Sequence, residues 1–226
     1  VIPKIMQHDA NAPVVTIDGP GGSGKGTLSS LVAAELGWHL LDSGALYRIV
    51  AAMARRQAID LTDEKSLVAM IPNLEIAFDG DGVDVNGDDL SDEIRTGEAG
   101  VAASQVAALP EVRDSILTLQ KSFQRAPGLV ADGRDMGTVV FPQAATKIFL
   151  DASAEVRANR RYKQLKNKGL SVNLRDLLEQ IQERDARDRG RAVAPLKPAA
   201  DALIIDSTQM TIEEVLQMIM AEVSKG

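Results

Sequence analysis

The chain has 226 residues, a length that suits one α/β domain with insertions better than two independent domains. Apolar residues make up 45% and charged residues 25%, and this composition excludes a disordered or fibrous chain. The net charge of −7 argues against a surface that binds nucleic acid throughout, and the absence of cysteine excludes disulfides and thiolate sites.

The absence of cysteine suits a reducing compartment, so we expect a cytoplasmic protein. No apolar run approaches the ~18 residues of a membrane span, and residues 1–13 lack the basic start and apolar centre of a signal peptide. We expect residues 1–12 to form a disordered tail and residues 13–226 to form the folded domain.

The first predicted elements are a strand, a glycine-rich loop and a helix. A β-branched run at residues 14–18 ends at the loop, and Leu28, Leu31, Val32 and Leu36 follow at helical spacing. The loop fits the pattern G-x-x-x-x-G-K and consists of Gly19, Pro20, Gly21, Gly22, Ser23, Gly24, Lys25, Gly26 and Thr27. Because such a loop points successive N–H groups into one cavity and adds an ammonium group, it predicts a triphosphate site.

The same glycines also match the dinucleotide fingerprint G-x-G-x-x-G, and Asp42 stands about where a ribose-binding acid would lie. Two observations oppose a dehydrogenase. A dinucleotide site does not use Lys25 and Thr27, and residues 42–128 are too long a segment between the second and third strands of a βαβαβ unit.

The middle of the chain predicts a helix, a hairpin and two more helices. A second strand is predicted at residues 38–41 and a helix at 43–57, with Asp42 or Ser43 as its cap and Arg48 projecting from its second turn. Alternation of apolar and polar residues predicts a hairpin at 74–85, and helical patterns follow at 92–108 and 111–124.

The second half predicts three more strands, at 129–131, 147–150 and 202–205, and a closing helix with the capping pair Thr211 and Glu214. Together with the first two strands, these elements predict a doubly wound α/β fold. Asp132 and Arg134 follow a strand, so they are expected at the sheet edge that carries the glycine-rich loop. There Asp132 could hold water on Mg²⁺, and Arg134 could bridge phosphate oxygens.

A basic segment lies between Glu155 and Arg191, with eleven Lys and Arg residues against six acids. Arginine outnumbers lysine, and Arg184, Arg187, Asp188 and Arg191 recur at helical spacing, a pattern that favours phosphate recognition over a solvated helix face. We interpret part of it as a lid that closes over two phosphorylated substrates. Nucleic acid is a weaker alternative, because the chain has few aromatic residues for base stacking.

Both histidines are expected to be structural, since His8 lies in the tail and His39 in a strand. No histidine triad and no protein-bound metal site is therefore predicted.

The chain resembles the nucleoside monophosphate kinases, and among them the bacterial cytidylate kinases. The resemblance runs from about Pro13 to the C-terminus, and it rests on the segments TIDGPGGSGKGTL, WHLLDSGALYR, AASQVAALPEVR, ADGRDMGTVVFP, KIFLDAS, ERDARDR and AVAPLKPAADALIIDS.

This resemblance implies a doubly wound sheet of five parallel strands with an inserted substrate-binding domain and an arginine-rich lid. The implied core comprises residues 13–60, 128–152 and 190–226, the insert about 61–127 and the lid about 153–170. The implied reaction transfers the γ-phosphoryl group of ATP to CMP or dCMP with Mg²⁺. It would serve the salvage and supply of pyrimidine nucleotides.

The resemblance also implies roles for individual residues. The loop from Gly19 to Thr27 would hold ATP, and Lys25, Arg134 and Arg161 would carry catalysis with Asp132 near Mg²⁺. The residues implied for the acceptor are Ser43, Tyr47, Arg48 and Arg134 at its phosphate, Ser104, Arg113 and Asp135 at cytosine, and Arg184 and Asp188 at the pentose.

Two other functions are compatible with the motifs. One is a phosphate-loop protein that binds a nucleotide as a switch or uses another small phosphate acceptor, and the other is the dinucleotide-dependent oxidoreductase. The switch leaves Arg113, Arg134 and Arg184 without a role. The kinase interpretation predicts a monomer whose partners are ATP and CMP or dCMP, with neither nucleic acid nor a membrane involved.

Overall fold

The computed structural model describes residues 8–79, 82–167 and 169–225. The chain divides into two compact units. Of these described residues, 12–41 and 126–225 belong to the core unit, and 8–11 and 42–125 belong to the insert unit.

The strands and helices follow the chain in a largely alternating order. The strands are β1 (Val14–Asp18), β2 (His39–Asp42), β3 (Ile76–Asp79), β4 (Gly82–Val85), β5 (Asp88–Asp89), β6 (Leu129–Gly133), β7 (Thr146–Asp151) and β8 (Leu203–Asp206). The helices are α1 (Lys25–Leu36), α2 (Ser43–Arg56), α3 (Glu64–Met70), α4 (Gly97–Val106), α5 (Pro110–Ser122), α6 (Ala154–Asn167), α7 (Leu174–Arg189) and α8 (Ile212–Val223).

The core unit is built on a five-stranded sheet in the order β2-β6-β1-β7-β8. β1 pairs in parallel with β6 and β7, and β7 pairs in parallel with β8. Every residue of β1 and β6 is buried, as expected for central parallel strands covered on both faces, whereas the edge strands β2 and β8 leave Leu40 and Ile204 exposed. The predicted α/β fold class is confirmed.

An apolar cluster packs α1 and α8 against this sheet. Its fully buried members include Ile17 on β1, Val32 on α1, Leu150 on β7 and Ile219 on α8. The predicted capping pair of α8 is confirmed, because Thr211 Oγ1 accepts from the Glu214 N–H and the Thr211 N–H donates to Glu214 Oε2.

The insert unit combines α2 to α5 with a three-stranded antiparallel sheet in the order β3-β4-β5. The predicted hairpin is confirmed, although its turn at 80–81 lies outside the described residues. The strand β5 was not predicted. It follows Asn86 and Gly87, both at positive φ, and such an Asn-Gly pair is a strong hairpin signal.

One helical prediction in the insert unit needs correction, and one helix was not predicted. The helix predicted at 92–108 begins as a short 3-10 turn, Glu93–Arg95, and restarts as α4 after Thr96, whose Oγ1 accepts from the Ala99 N–H. The hydroxyl of Thr96 competes with a continuous helix by capping a new one. The helix α3 was missed, and Asp63 caps it through the Ser66 N–H.

The basic segment forms α6 and α7, which pack against each other. Lys168, at the end of the predicted lid, lies outside the described residues, as do residues 1–7 of the predicted tail. At positions 8–12 the Asp9 N–H donates to the Gln124 carbonyl at 3.0 Å. Among the residues that the structure describes, no helix is both long enough and apolar enough to cross a membrane.

Candidate active site

The glycine-rich loop connects β1 to α1 and lies tightly against the sheet. A Cβ at Gly19 would stand 2.0 Å from the Leu150 carbonyl oxygen, so only glycine fits there. Gly24 is the N-cap of α1 with φ of 97°. Because glycine has no side chain with which to cap the helix, the first N–H groups of α1 are suited to an anionic ligand.

Two arginines of α6 donate hydrogen bonds to the glycine-rich loop. Arg157 Nη1 donates to the Gly21 carbonyl at 3.0 Å, and Arg160 Nη1 donates to the Ser23 carbonyl at 3.1 Å. These bonds satisfy backbone carbonyls of the loop and place positive charge beside the predicted phosphate site. The sequence assigned both arginines only to a lid, because nothing in their i, i+3 spacing identifies the loop as their partner.

Lys25 and Asp132 form a largely buried ion pair at the carboxyl edge of the sheet. Lys25 Nζ lies 3.6 Å from Asp132 Oδ1, with side chains 12% and 8% exposed. The pair forms because β6 lies beside β1, in a register that places Asp132 opposite Ile17. The structure thus brings together the two residues that the sequence predicted for phosphate binding and for Mg²⁺.

A second cluster gathers arginines around Asp188 of α7. Asp188 Oδ2 accepts from Arg134 Nε at 3.0 Å and lies 3.9 Å from Arg184 Nε, and Asp188 Oδ1 accepts from Arg191 Nη2. Burial acts to raise the pKa of Asp188, but Arg134, Arg191 and Arg184 outweigh it and hold that pKa below its usual value. Arg191 was not among the predicted site residues.

This arginine cluster lies against the glycine-rich loop. A Cβ at Gly21 would stand 3.4 Å from both Arg134 Nη2 and Arg184 Nη1. Two guanidinium groups therefore lie next to the loop that is expected to hold phosphates. Such an arrangement can neutralise charge on a phosphoryl group as it moves from one phosphate to another.

Asp18, the last residue of β1, is a buried acid that the sequence did not single out. Its Oδ1 accepts from the Met136 N–H and its Oδ2 from the Gly137 N–H, both at 2.8 Å. Burial raises its pKa to about 7, with these two hydrogen bonds opposing the rise and the nearby charges of Asp135 and Asp132 adding to it.

The predicted acceptor residues of the insert unit are largely buried. Gln120 Nε2 donates to Ser43 Oγ at 2.8 Å, and the Arg113 guanidinium lies 5.7 Å from the centre of the Tyr47 ring. Ser104 is buried on α4, a helix that packs against α2.

Two other predictions concern α2. The side chain of Asp42 caps the helix by accepting from the Ala45 N–H, which confirms one of the two alternatives. Arg48 Nη1 donates to the Ile94 carbonyl at 2.7 Å. The hydrogen bond from Gln120 on α5 to Ser43 was not predicted, since a glutamine on a helix carries no sequence signal for a bond to another helix.

Arg161, predicted as a catalytic residue from the lid, has a different kind of hydrogen-bond partner from Arg157 and Arg160 on the same helix. Its Nη1 donates to Gln164 Oε1 at 2.7 Å, one turn along the same helix. The structure therefore shows it bonded within α6, whereas Arg157 and Arg160 contact the glycine-rich loop.

Comparison with known proteins gives one family. The family model described as cytidylate kinase matches residues 15–225. A cytidylate kinase of Aeromonas hydrophila is 59% identical over 214 residues, which cover 93% of each chain. One from Photobacterium profundum is 57% identical over 220 residues, which cover 96% of each chain.

A comparison of folds adds a more distant likeness. The crystal structure of an uncharacterised protein from Eubacterium ventriosum aligns over 96% of this chain and all of its own. Its TM-score is 0.50 at 10% sequence identity, and at that identity the likeness concerns the fold alone.

Proposed function

The chain belongs to the cytidylate kinase family, and on that premise we propose that it transfers the γ-phosphoryl group of ATP to the 5′-phosphate of CMP or dCMP. The observation that carries the proposal is the position of Arg134 and Arg184 against Gly21, in the same unit as the buried Lys25–Asp132 pair. A protein that only binds ATP would not need guanidinium groups at that point.

The donor nucleotide binds at the loop from Gly19 to Thr27. The backbone N–H groups and the start of α1 hold the phosphates, and Lys25 contacts the β- and γ-phosphates. Arg157 and Arg160 keep the loop in shape by donating hydrogen bonds to its carbonyl groups. ATP therefore enters a site whose backbone is already oriented, which lowers the entropic cost of binding.

A magnesium ion fits this site chemically. Asp132 supplies carboxylate oxygens, the ligand type that Mg²⁺ prefers, and it lies beside the lysine of the loop. Asp132, through water, and the phosphates of ATP would hold the ion. When bound, Mg²⁺ neutralises charge on the β- and γ-phosphates.

Phosphoryl transfer in this site depends on positioning and on charge. The acceptor is already an anionic phosphate at neutral pH, so the reaction needs no strong general base. Lys25 and Arg134 stabilise the charge that shifts toward the transferring group, and Arg161 adds to it when the lid closes. Asp188 orients Arg134 through its hydrogen bond to Nε.

The acceptor nucleotide is recognised by several predicted residues. In the core unit we assign Arg134 to its phosphate, Arg184 and Asp188 to its pentose, and Asp135 to the cytosine edge. In the insert unit, Ser43, Tyr47 and Arg48 are assigned to the phosphate, and Ser104 and Arg113 to the base. The hydrogen bond from Gln120 orients the Ser43 hydroxyl, and the Ala107 carbonyl accepts from Arg113 Nη1.

The proposal is tested by measuring ADP release with ATP and a panel of CMP, dCMP, UMP, AMP and GMP. We expect kcat/KM for CMP or dCMP to exceed that for AMP and GMP by at least about 10²-fold, because polar groups built to pair with one base are left unpaired by another. Equal activity on all five acceptors, or ADP release that needs no acceptor, would contradict it. A Lys25→Met preparation measures any contaminating kinase.

A further inference from the structure

The carboxyl group of Asp18 joins two loops at the carboxyl edge of the sheet. Asp18 is the residue immediately before the glycine-rich loop, and it is 4% exposed. Its two oxygens accept from two consecutive backbone N–H groups, those of Met136 and Gly137, each at 2.8 Å. One side chain therefore fixes the backbone that follows the segment Asp132–Asp135.

The backbone held in this way is an uncommon one. Met136–Val140 forms a π turn, in which the Phe141 N–H donates to the Met136 carbonyl at 2.7 Å and the Val140 N–H to the Asp135 carbonyl at 3.2 Å. Such turns occur mostly as single turns, frequently at functional sites. Because the first N–H groups of a helical turn have no partner within it, Asp18 supplies acceptors that the turn itself cannot provide.

The turn is also pressed against the sheet. A Cβ at Gly137 would stand 2.8 Å from Thr16 Oγ1 and 3.3 Å from the Lys147 side chain. The turn therefore rests directly on β1 and β7, and Asp18 and Gly137 together set its position along β1.

The turn follows directly on residues assigned to the acceptor. Asp135 is the residue before the turn and is 2% exposed, and Arg134 precedes it with its Nε bonded to Asp188. β1 and β6 are in register so that Asp18 lies opposite Gly133. A shift of the turn along the sheet would be transmitted directly to Asp135 and Arg134.

We propose that Asp18 is a positioning residue for the acceptor side of the reaction: by holding the turn Met136–Val140, it fixes Arg134 and Asp135 relative to the glycine-rich loop. The inference rests on the proposed function, because that function gives Arg134 and Asp135 their roles. Nothing in the sequence assigns Asp18 a part in catalysis, since the loop motif begins one residue later.

Replacement by asparagine is the sharpest test. Asp18→Asn keeps the size of the side chain but leaves one acceptor oxygen and places an NH₂ group against an N–H. We expect kcat/KM for CMP to fall on the order of 10²-fold, through a higher KM for CMP and a lower kcat, because small misplacements of positioned groups have effects of this size. The KM for ATP should change less than about threefold.

Two further variants keep the test decisive. Gly137→Ala displaces the turn through a clash with Thr16 and Lys147 and should reproduce the pattern, even if Asp18→Asn fails to fold. Glu222→Gln is the matched control, because it also removes a carboxylate of the core unit, one that accepts from Lys225 Nζ at 2.6 Å at the end of α8, away from both loops. We expect it to leave both KM values unchanged.

Hydrogen exchange separates this inference from the proposed function. Asp18→Asn should lose protection at the amides of Met136 and Gly137, a readout that needs no turnover. A stable Asp18→Asn enzyme with wild-type kinetics overturns the inference, and so does an equal loss of affinity for ATP and CMP. If the wild-type protein fails to phosphorylate CMP, the proposed function fails. Independently of that result, unchanged protection of these two amides in Asp18→Asn would show that Asp18 does not hold the turn.

Discussion

Single residues at the sheet edge serve both the fold and the proposed reaction. The pair formed by Lys25 and Asp132 is largely buried, so each charge depends on the other for compensation. The same ammonium group is the one expected to contact the β- and γ-phosphates. A change at Lys25 therefore affects stability and turnover for different physical reasons, and the two effects are measured separately.

We expect Lys25→Met to lower kcat by on the order of 10²- to 10³-fold, because it removes a positively charged contact to the transferring group. Steady-state kinetics with ATP and CMP measure the change, and circular dichroism confirms that the variant is folded. Lys25→Arg, which keeps the charge but not the shape, should recover part of the activity. Near-normal turnover in Lys25→Met would show that the lysine has no such role.

The raised pKa of Asp18 predicts how the stability of the fold depends on pH. Burial raises its pKa from 3.8 to about 7 in the folded chain, so between about pH 4 and pH 7 the folded state binds a proton that the unfolded state has lost. The contribution of Asp18 to the free energy of unfolding therefore falls as pH rises, by up to about 1.4 kcal/mol per pH unit, and levels off above pH 7.

Urea denaturation of the wild type and Asp18→Asn at pH 5, 6, 7 and 8 tests this prediction. Asparagine does not titrate, so the stability of the variant should improve relative to the wild type between pH 5 and pH 7 and then stay level. If the difference in the free energy of unfolding between the two proteins is the same at all four pH values, Asp18 keeps an ordinary pKa.

At the scale of elements, α6 and α7 connect the glycine-rich loop to the arginine cluster around Asp188. Asp185 of α7 forms an ion pair with Arg157, which binds the Gly21 carbonyl, and Asp188 of the same helix binds Arg134. Asp185 and Asp188 are three residues apart, so they lie on one face of α7. The glycine-rich loop, through Arg157, and Arg134, which we propose to bind the acceptor, are therefore both connected to one helix.

We expect Arg160→Lys to weaken ATP binding, because a lysine cannot reproduce the hydrogen bonds of Arg160 to both the Ser23 and Ser207 carbonyls. A charged hydrogen bond is worth about 1.5–3 kcal/mol, and ATP has to supply the part of it that orders the loop, so the Kd for ATP should rise by up to about 10²-fold.

Calorimetry with ATP measures this change, and Arg175→Ala is the control. Arg175 lies on α7, is 84% exposed and pairs only with Glu179 among the ion pairs within the described ranges. Such an exposed pair contributes little, so this variant should bind ATP as the wild type does. If Arg160→Lys also binds ATP normally, the loop does not depend on Arg160 for its shape.

At the scale of the whole molecule, closure of the lid at about 153–170 over two nucleotides remains a prediction. Arg161 is bonded within α6, and Lys163 and Lys166 on the same helix are exposed. If the lid closes over two nucleotides, these side chains become less accessible when both are bound. Closure also excludes water from the transferring group and strengthens each charge interaction there.

Limited trypsin digestion tests for this closure. With a non-hydrolysable ATP analogue and CMP together, cleavage after Arg161, Lys163 and Lys166 should slow by about tenfold, and each nucleotide alone should give less protection. Hydrolysis of a small chromogenic peptide in the same mixtures serves as the control for trypsin activity. Equal cleavage at the lid sites with and without both nucleotides would contradict a lid that closes.

The sequence predicted the parts of the site that are local in the chain. The glycine-rich loop follows from spacing alone, because its N–H groups and the lysine belong to one short segment between a strand and a helix. The strands of the sheet also follow from apolar patterns, and Asp132 could be placed near Lys25 because parallel strands end at the same edge. The helix α3 was missed because its apolar pattern is short, and β5 was missed because it has only two residues, although the Asn-Gly pair before it is a hairpin signal.

Other features depended on tertiary structure, because they join segments that are far apart in the chain. The contacts of Arg157 and Arg160 with the loop span more than a hundred residues, as do the hydrogen bonds from the Met136 and Gly137 N–H groups to Asp18. The sequence by itself determined a glycine-rich loop with its lysine between a strand and a helix, and a segment rich in arginine, since short-range spacing sets backbone geometry and charge. Only the fold decided which buried acid or arginine holds which loop, since strand order and helix packing select the partners.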